Sequence, residues 1–166
     1  NEGRYPAVFF ENIEGYSIPA VTNLHATRKR IALALGVDEA SLVDEYRKRD
    51  AERILPRMVD DGPVKEVVLK AEDLDLNGLP LFTHFDINNA PYITAGIVVA
   101  RDPVSKVRNL SFNRGMLVGR NRLRVHMAPG MQLGRCYRNA EDREEPLDIA
   151  IIIGVHPAFA IGALAL

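Results

Sequence analysis

From Ile149 to Leu166 the chain reads IAIIIGVHPAFAIGALAL, and only His156 and Pro157 interrupt its apolar character. A run of this length must be weighed as a membrane span, which needs roughly 20 apolar residues. Gly154, His156 and Pro157 break it. A proline inside a helix removes a backbone donor and clashes with the preceding turn, so one continuous helix is disfavoured. The expectation is a buried β-rich strand over Asp148 to Ile153, then a short helix, and no membrane span. Both pieces are apolar all round, and exposed apolar surface of that extent needs cover. Either a partner subunit or a homo-oligomer covers this carboxyl-terminal segment, or the natural polypeptide continues past Leu166. The continuing chain is the favoured expectation.

The remaining composition excludes more than it selects. The 166 residues suffice for one or two domains with a core. Lysine and arginine number 21 against 22 aspartates and glutamates, so no nucleic-acid-binding surface is expected. A single cysteine, Cys136, cannot form an internal disulfide, lacks a CxxC partner and is given no redox role. No amino-terminal signal is visible, and a cytoplasmic location is expected.

Periodicity divides the chain near Arg57 to Pro63, where Asp60, Asp61 and Gly62 mark a linker. Before it, Ala7 to Ile13 and Ile18 to Thr22 read as strands around a Glu14-Gly15-Tyr16 turn. Thr27 to Leu35 reads as a helix stopped by Gly36. Asp38 to Asp50 reads as a second helix, with Ala40, Leu42, Val43 and Tyr46 as its inner stripe. After the linker the pattern is mostly β: Val64 to Leu69, Tyr92 to Ala100 closed by the turn Asp102-Pro103-Val104-Ser105, then Val107 to Val118 and Leu123 to Met127 joined at Gly119-Arg120-Asn121. Gly130 to Glu145 is polar and has room for a helix. The class expected is α+β, with an α/β lobe over 1–63 and a small barrel or sandwich over 64–166.

Chemistry concentrates in Asn109-Leu110-Ser111-Phe112-Asn113-Arg114. Asparagine offers a hard oxygen suited to a divalent cation, and arginine a rigid fork for phosphate or carboxylate. Strand alternation puts Asn109, Ser111 and Asn113 on one face, and Leu110, Phe112 and Arg114 on the other. Asn109 and Arg114 can serve one ligand only where the strand bends or ends between them, which Gly115 would permit. By residue type alone, a half-exposed strand with polar outward residues explains the stretch better. The four histidines form no helical metal pair, and Arg120, Arg122 and Arg124 read as cover for a hairpin end.

Three stretches together resemble one family. FFENIEGYSIPAVTNLHATRKRIALALGV (Phe9 to Val37) is similar to the opening of the UbiD family of prenylated-FMN-dependent (de)carboxylases. YITAGIVVARDPVSKVRNLSFNRGMLVGRNRLRVHMAPG (Tyr92 to Gly130) resembles its flavin-binding segment, and DIAIIIGVHPAFAIGALAL (Asp148 to Leu166) the strand and helix that follow.

The resemblance implies reversible non-oxidative decarboxylation of small aromatic or α,β-unsaturated acids. Its cofactors would be prenylated FMN with Mn2+ and K+, held by an FMN-binding split β-barrel that is incomplete here. It implies Asn109 as metal ligand and Phe112, Asn113 and Arg114 as flavin-lining residues. Arg114 would be the catalytic arginine that holds the substrate carboxylate. His126, Met127 and Ala128 would form a second cofactor-contacting strand, with Met131 and Gln132 a third contact. Met131 stands where several members place a metal-binding histidine, and a thioether is a poor ligand for manganese. DINNA (Asp86 to Ala90) replaces the family's acidic-glycine stretch. The family's other metal ligand and its catalytic acids lie downstream of Leu166, so the chain as it stands is expected not to turn over substrate. The alternative is a non-catalytic flavin-binding or structural subunit of a multi-chain carboxylase.

Overall fold

A computed structural model of the chain describes residues 4–52, 54–85, 87 and 89–165. Asp86 and Asn88 of the DINNA stretch, and Leu166, lie outside the described residues. Two compact units are present, Asn1–Leu79 and Pro80–Leu166, so the contacts divide the chain beyond the Pro63 linker.

In the first unit, β1 (Val8–Phe10) pairs antiparallel with β2 (Ala20–Thr22). Helix α1 (Arg28–Leu35) starts where the Thr27 hydroxyl accepts the Arg30 backbone N–H at 3.3 Å. It stops at Gly36, whose φ of 69° is left-handed. There Gly36 N–H donates to Leu33 O and Val37 N–H to Ala32 O, the paired bonds of a Schellman end. The second helical stretch is broken, with a 3-10 turn at Glu39–Ser41 leading into α2 (Leu42–Ala51). Of the expected inner stripe Leu42 is buried and Tyr46 half-buried, whereas Ala40 and Val43 are exposed. Ile31, Leu42, Val43, Tyr46 and Arg47 line an open apolar groove. Val64 to Leu69 is not a strand. The segment carries a 3-10 turn at Pro63–Lys65 and exposed valines. Among the described residues no strand pairs with it to supply a ladder, which a strand requires.

The second unit holds two three-stranded antiparallel sheets. One has the order β3 (Tyr92–Ile93), β6 (Gly115–Gly119), β7 (Arg122–Val125). The other has the order β5 (Arg108–Phe112), β4 (Ile97–Arg101), β8 (Ile149–Ile152). No sheet closes on itself among the described residues. The two long strands expected from sequence are each interrupted midway. Tyr92 to Ala100 breaks before Ile97, and Val107 to Val118 breaks at Asn113 and Arg114. Each half joins a different sheet, as chains do at the corner between two sheets. Gly96 marks one corner: a Cβ there would stand 2.7 Å from Ile93 Cγ2 and 2.9 Å from Ile151 Cγ2.

Helices cover both faces of the β5-β4-β8 sheet. Ile97 packs with Ala160 and Ala163 from α4 (Pro157–Gly162) and its end, with Leu110 alongside. On the other face Val98 and Ala100 pack with Leu133 of α3 (Gln132–Glu141), flanked by Val125, Met127, Leu147 and Ile151. Ile97, Val98 and Leu133 are fully enclosed, and truncating such a side chain to alanine costs roughly 2–5 kcal/mol. Helix α3 turns Leu133, Gly134, Cys136 and Ala140 inward, a single stripe at helical spacing. The expected buried strand before Gly154 is instead the sheet's edge, with Ile149 exposed at 44%. His156 caps α4, its Nδ1 accepting the Ala158 N–H at 3.2 Å, and Pro157 occupies the first turn. No helix among the described residues is long and apolar enough to cross a membrane.

Candidate functional site

Strand β5 sets the geometry. Its register places Asn109 opposite Ala100, Ser111 opposite Val98 and Phe112 opposite Ile97. Residues directly opposite share a sheet face. Asn109 and Ser111 therefore lie on the α3 face, beside the Val98, Ala100 and Leu133 cluster that Met127 also borders. Phe112 lies on the α4 face with Ile97, and is 37% exposed.

Three side chains on the α3 face form a ladder. Asn109 Nδ2 donates to Ser111 Oγ at 3.2 Å, and Asn113 Nδ2 donates to the same oxygen at 2.7 Å. Asn113 Nδ2 also donates to the Ser111 carbonyl at 3.3 Å. Asn109 is 7% exposed, one of two buried polar residues among those described. With its amide nitrogen on Ser111, its Oδ1 faces away from the hydroxyl.

Strand β5 ends at Phe112 and β6 begins at Gly115, so Asn113 and Arg114 form the turn between sheets. The chain therefore ends its strand between Asn109 and Arg114, the condition under which both can serve one ligand. The Arg114 carbonyl accepts the His126 N–H at 3.1 Å, which fastens the corner to the end of β7. The Arg114 side chain is exposed.

Met127 leads through Ala128 into α3. The Met131 N–H donates to Ala128 O at 3.0 Å, and a Cβ on Gly134 would sit 2.5 Å from that same oxygen. Met131 occupies the cap position of α3 without a side-chain cap bond and is 61% exposed, with Gln132 exposed beside it. The structure thus brings Asn109, Asn113 and Met127 to one face and Arg114 to the adjoining corner, while Phe112 takes the opposite face. Among the described residues no group of three or more histidine, cysteine, aspartate or glutamate side chains can hold a metal. The hard donor atoms on this face are the asparagine oxygens of Asn109 and Asn113.

Two features were not expected from sequence. Ser111, seen only as a neighbouring hydroxyl, is the hub of the ladder. Asp102, read as a turn residue, is 4% exposed and bound by Asn139 of α3. The Asp-Pro turn was visible in sequence, but its partner 37 residues on carries no local signal.

Two family models match the chain. The 3-octaprenyl-4-hydroxybenzoate carboxy-lyase N-terminal domain matches residues 1–49, and the Rift-related domain of the same enzymes matches residues 57–166. Anhydromevalonate phosphate decarboxylase of Methanothermobacter thermautotrophicus is 36% identical over 155 residues, covering 91% of this chain and 34% of that protein. An evolved dimeric form of the UbiD-class enzyme HmfF from Pelotomaculum thermopropionicum, in complex with prFMN, superposes with a TM-score of 0.87 at 38% identity. That match covers 95% of this chain and 37% of HmfF. The apo 3,4-dihydroxybenzoic acid decarboxylase AroY of Klebsiella pneumoniae gives a TM-score of 0.86 at 32% identity, over 95% of this chain and 34% of AroY. The chain therefore spans about a third of the length of these relatives. Matched along nearly all its length by the family's two successive domains, the chain belongs to the UbiD family of carboxy-lyases.

Proposed function

We propose that this chain is the flavin-side portion of a UbiD-type decarboxylase, acting in the reversible non-oxidative decarboxylation of small aromatic or α,β-unsaturated acids. The observation that carries this reading is the amide-lined strand Asn109 to Asn113 ending at the corner that presents Arg114. Family membership and the prFMN complex of HmfF support prenylated FMN as the cofactor.

When bound, the prenylated flavin supplies the electron sink for the departing carboxylate. Asn109 Oδ1 would offer one hard oxygen to a divalent cation such as Mn2+, whose charge would offset that of the cofactor phosphate, and K+ belongs to the same reading. These residues fit part of that demand: an asparagine oxygen turned away from Ser111 is present, and Met131 adds no suitable ligand. The other ligands and the acid partners of Arg114 belong, in this reading, to a longer protein. Arg114 holds the substrate carboxylate through its guanidinium fork, from an exposed side chain on a hydrogen-bonded backbone. Phe112, Asn113, His126, Met127, Ala128, Met131 and Gln132 line the cofactor. The domains in this proposal are 1–63 and 64–166, the latter closing into a split barrel only in the whole enzyme. A cytoplasmic, oligomeric enzyme follows from the same reading.

Co-expression with a flavin prenyltransferase tests it. The purified chain should carry a flavin-type visible spectrum and bound manganese, and Asn109→Ala should lower the metal content. A folded, colourless, metal-free product would sink the proposal that this chain holds the cofactor.

A further inference from the structure

The ladder on β5 has a polarity that the family reading does not require. A serine hydroxyl has two lone pairs and one proton. Here both lone pairs face amide donors, Asn109 Nδ2 at 3.2 Å and Asn113 Nδ2 at 2.7 Å. Both asparagine carbonyl oxygens are thereby turned away from Ser111, and the hydroxyl proton stays available as a donor. Along the strand the side chains thus offer a carbonyl oxygen, a hydroxyl proton and a second carbonyl oxygen. Carbonyl oxygens suit a hard cation, and a hydroxyl proton suits an anionic oxygen. A divalent cation paired with a phosphate needs both kinds of group side by side.

We propose that Ser111 is a positioning residue, whose hydroxyl locks the Asn109 and Asn113 amides with their oxygens turned away from it, free to receive a cation–phosphate pair. This rests on the flavin reading above and names a residue through which that site is organised. The backbone under the ladder is fixed, because Asn109 and Ser111 are paired to Ala100 and Val98 of the central strand β4. The remaining freedom is rotation of the two amides, which would exchange an oxygen for an NH2 group. A cation facing NH2 gains nothing, so the amide orientation decides whether the strand can take the pair. Asn113 is held twice, by the Ser111 hydroxyl and by the Ser111 carbonyl at 3.3 Å. Asn109, held by the hydroxyl alone, depends on Ser111 the more.

The test uses this chain with Mn2+ and FMN as probes, and the variants Ser111→Ala and Ser111→Thr. Side-chain amide NMR of the free chain should show slowly exchanging Nδ2 protons at Asn109 and Asn113. Ser111→Ala should release them and Ser111→Thr should retain them; unchanged exchange in Ser111→Ala overturns the ladder itself. With FMN present, Mn2+ should broaden the resonances of Asn109, Ser111 and Asn113. Ser111→Ala should weaken Mn2+ affinity about 10- to 100-fold, the usual effect of losing a group that orients a ligand, with Ser111→Thr restoring it. A merely structural serine would lower the melting temperature and leave the affinity of the folded protein unchanged. If the chain quenches FMN fluorescence while Mn2+ broadens none of the three residues, the inference fails and the flavin reading stands. If FMN is not quenched at any Mn2+ concentration, the flavin reading fails and the inference falls with it.

Discussion

Asn139 of α3 reaches both carboxylate oxygens of Asp102, donating to Oδ1 at 3.0 Å and Oδ2 at 3.1 Å. Asp102 closes β4, and its Oδ1 also accepts the Val104 N–H at 2.8 Å and the Ser105 N–H at 3.3 Å. One carboxylate thus ties the β4–β5 turn to the helix packed beneath it.

The Val104 backbone bond, and then the Asn139 amide, hold the Asp102 carboxyl below its ordinary value. In the unfolded chain it titrates near its ordinary value of about 4. Its stabilising contribution is therefore full above about pH 4 and is lost as the pH falls through the lower folded value. Thermal melts between about pH 2 and pH 6 should show wild-type stability falling across that window. Asp102→Asn should be less stable at neutral pH and should show a flatter dependence. Parallel pH profiles for the two proteins would remove Asp102 from the account.

Cys136 lies on the inner stripe of α3 and is 2% exposed. Burial pushes its thiol up, and the negative charge of Asp102 adds to the effect. The thiolate is the reactive form, so alkylation should be slow in the folded chain. At pH 8 iodoacetamide should label Cys136 no faster than the unit opens, and quickly once urea unfolds it. Fast labelling of the native protein would contradict the packing of α3 on the sheet.

Gly134→Ala sets two effects against each other. Alanine in a helix gains about 1 kcal/mol over glycine, whereas overpacking a tight site costs roughly 1–3 kcal/mol. The obstructing atom is the Ala128 backbone oxygen, 2.5 Å from the added Cβ, and it cannot rotate away as a side chain could. The clash should win, with a net loss of about 1 kcal/mol in denaturant unfolding. Gly130→Ala, where nothing stands within 4 Å of the added carbon, serves as the neutral control. Equal stability of the two variants would show that α3 is not seated on Ala128.

Arg114→Ala, placed in a complete parent enzyme, should abolish decarboxylation and leave flavin bound. The visible spectrum and turnover, measured on the same sample, separate the two roles. Full activity would refute the carboxylate-holding role.

Local chemistry made the helix ends legible in sequence. Thr27 and Gly36 act as the start and stop signals they resemble, and Pro157 marks the first turn of α4. The alternation that placed Asn109, Ser111 and Asn113 on one face is a local property, and the ladder follows it. What the sequence concealed depends on partners. Val64 to Leu69 has the residues of a strand and no edge to join. Tyr92 to Ala100 reads as one run of strand-forming residues, and Gly96 is its one local sign that the chain changes sheets before Ile97. Likewise nothing in Ser111 itself announces that two amides converge on it.

The paired corners have a consequence for how the second unit melts. Because β3 continues into β4 and β5 into β6, the register of Ile93 on Gly115 and that of Ile97 on Phe112 are coupled through only a few residues. A slip by one residue in either sheet would have to be absorbed at both corners, and would turn Asn109 and Ser111 to the α4 face. The sheets are thus constrained to open together, as one cooperative block rather than two. Amide protons on either side of Asn113 and Arg114 should exchange with a common free energy, and the exposed guanidinium rides on backbone held taut from both directions.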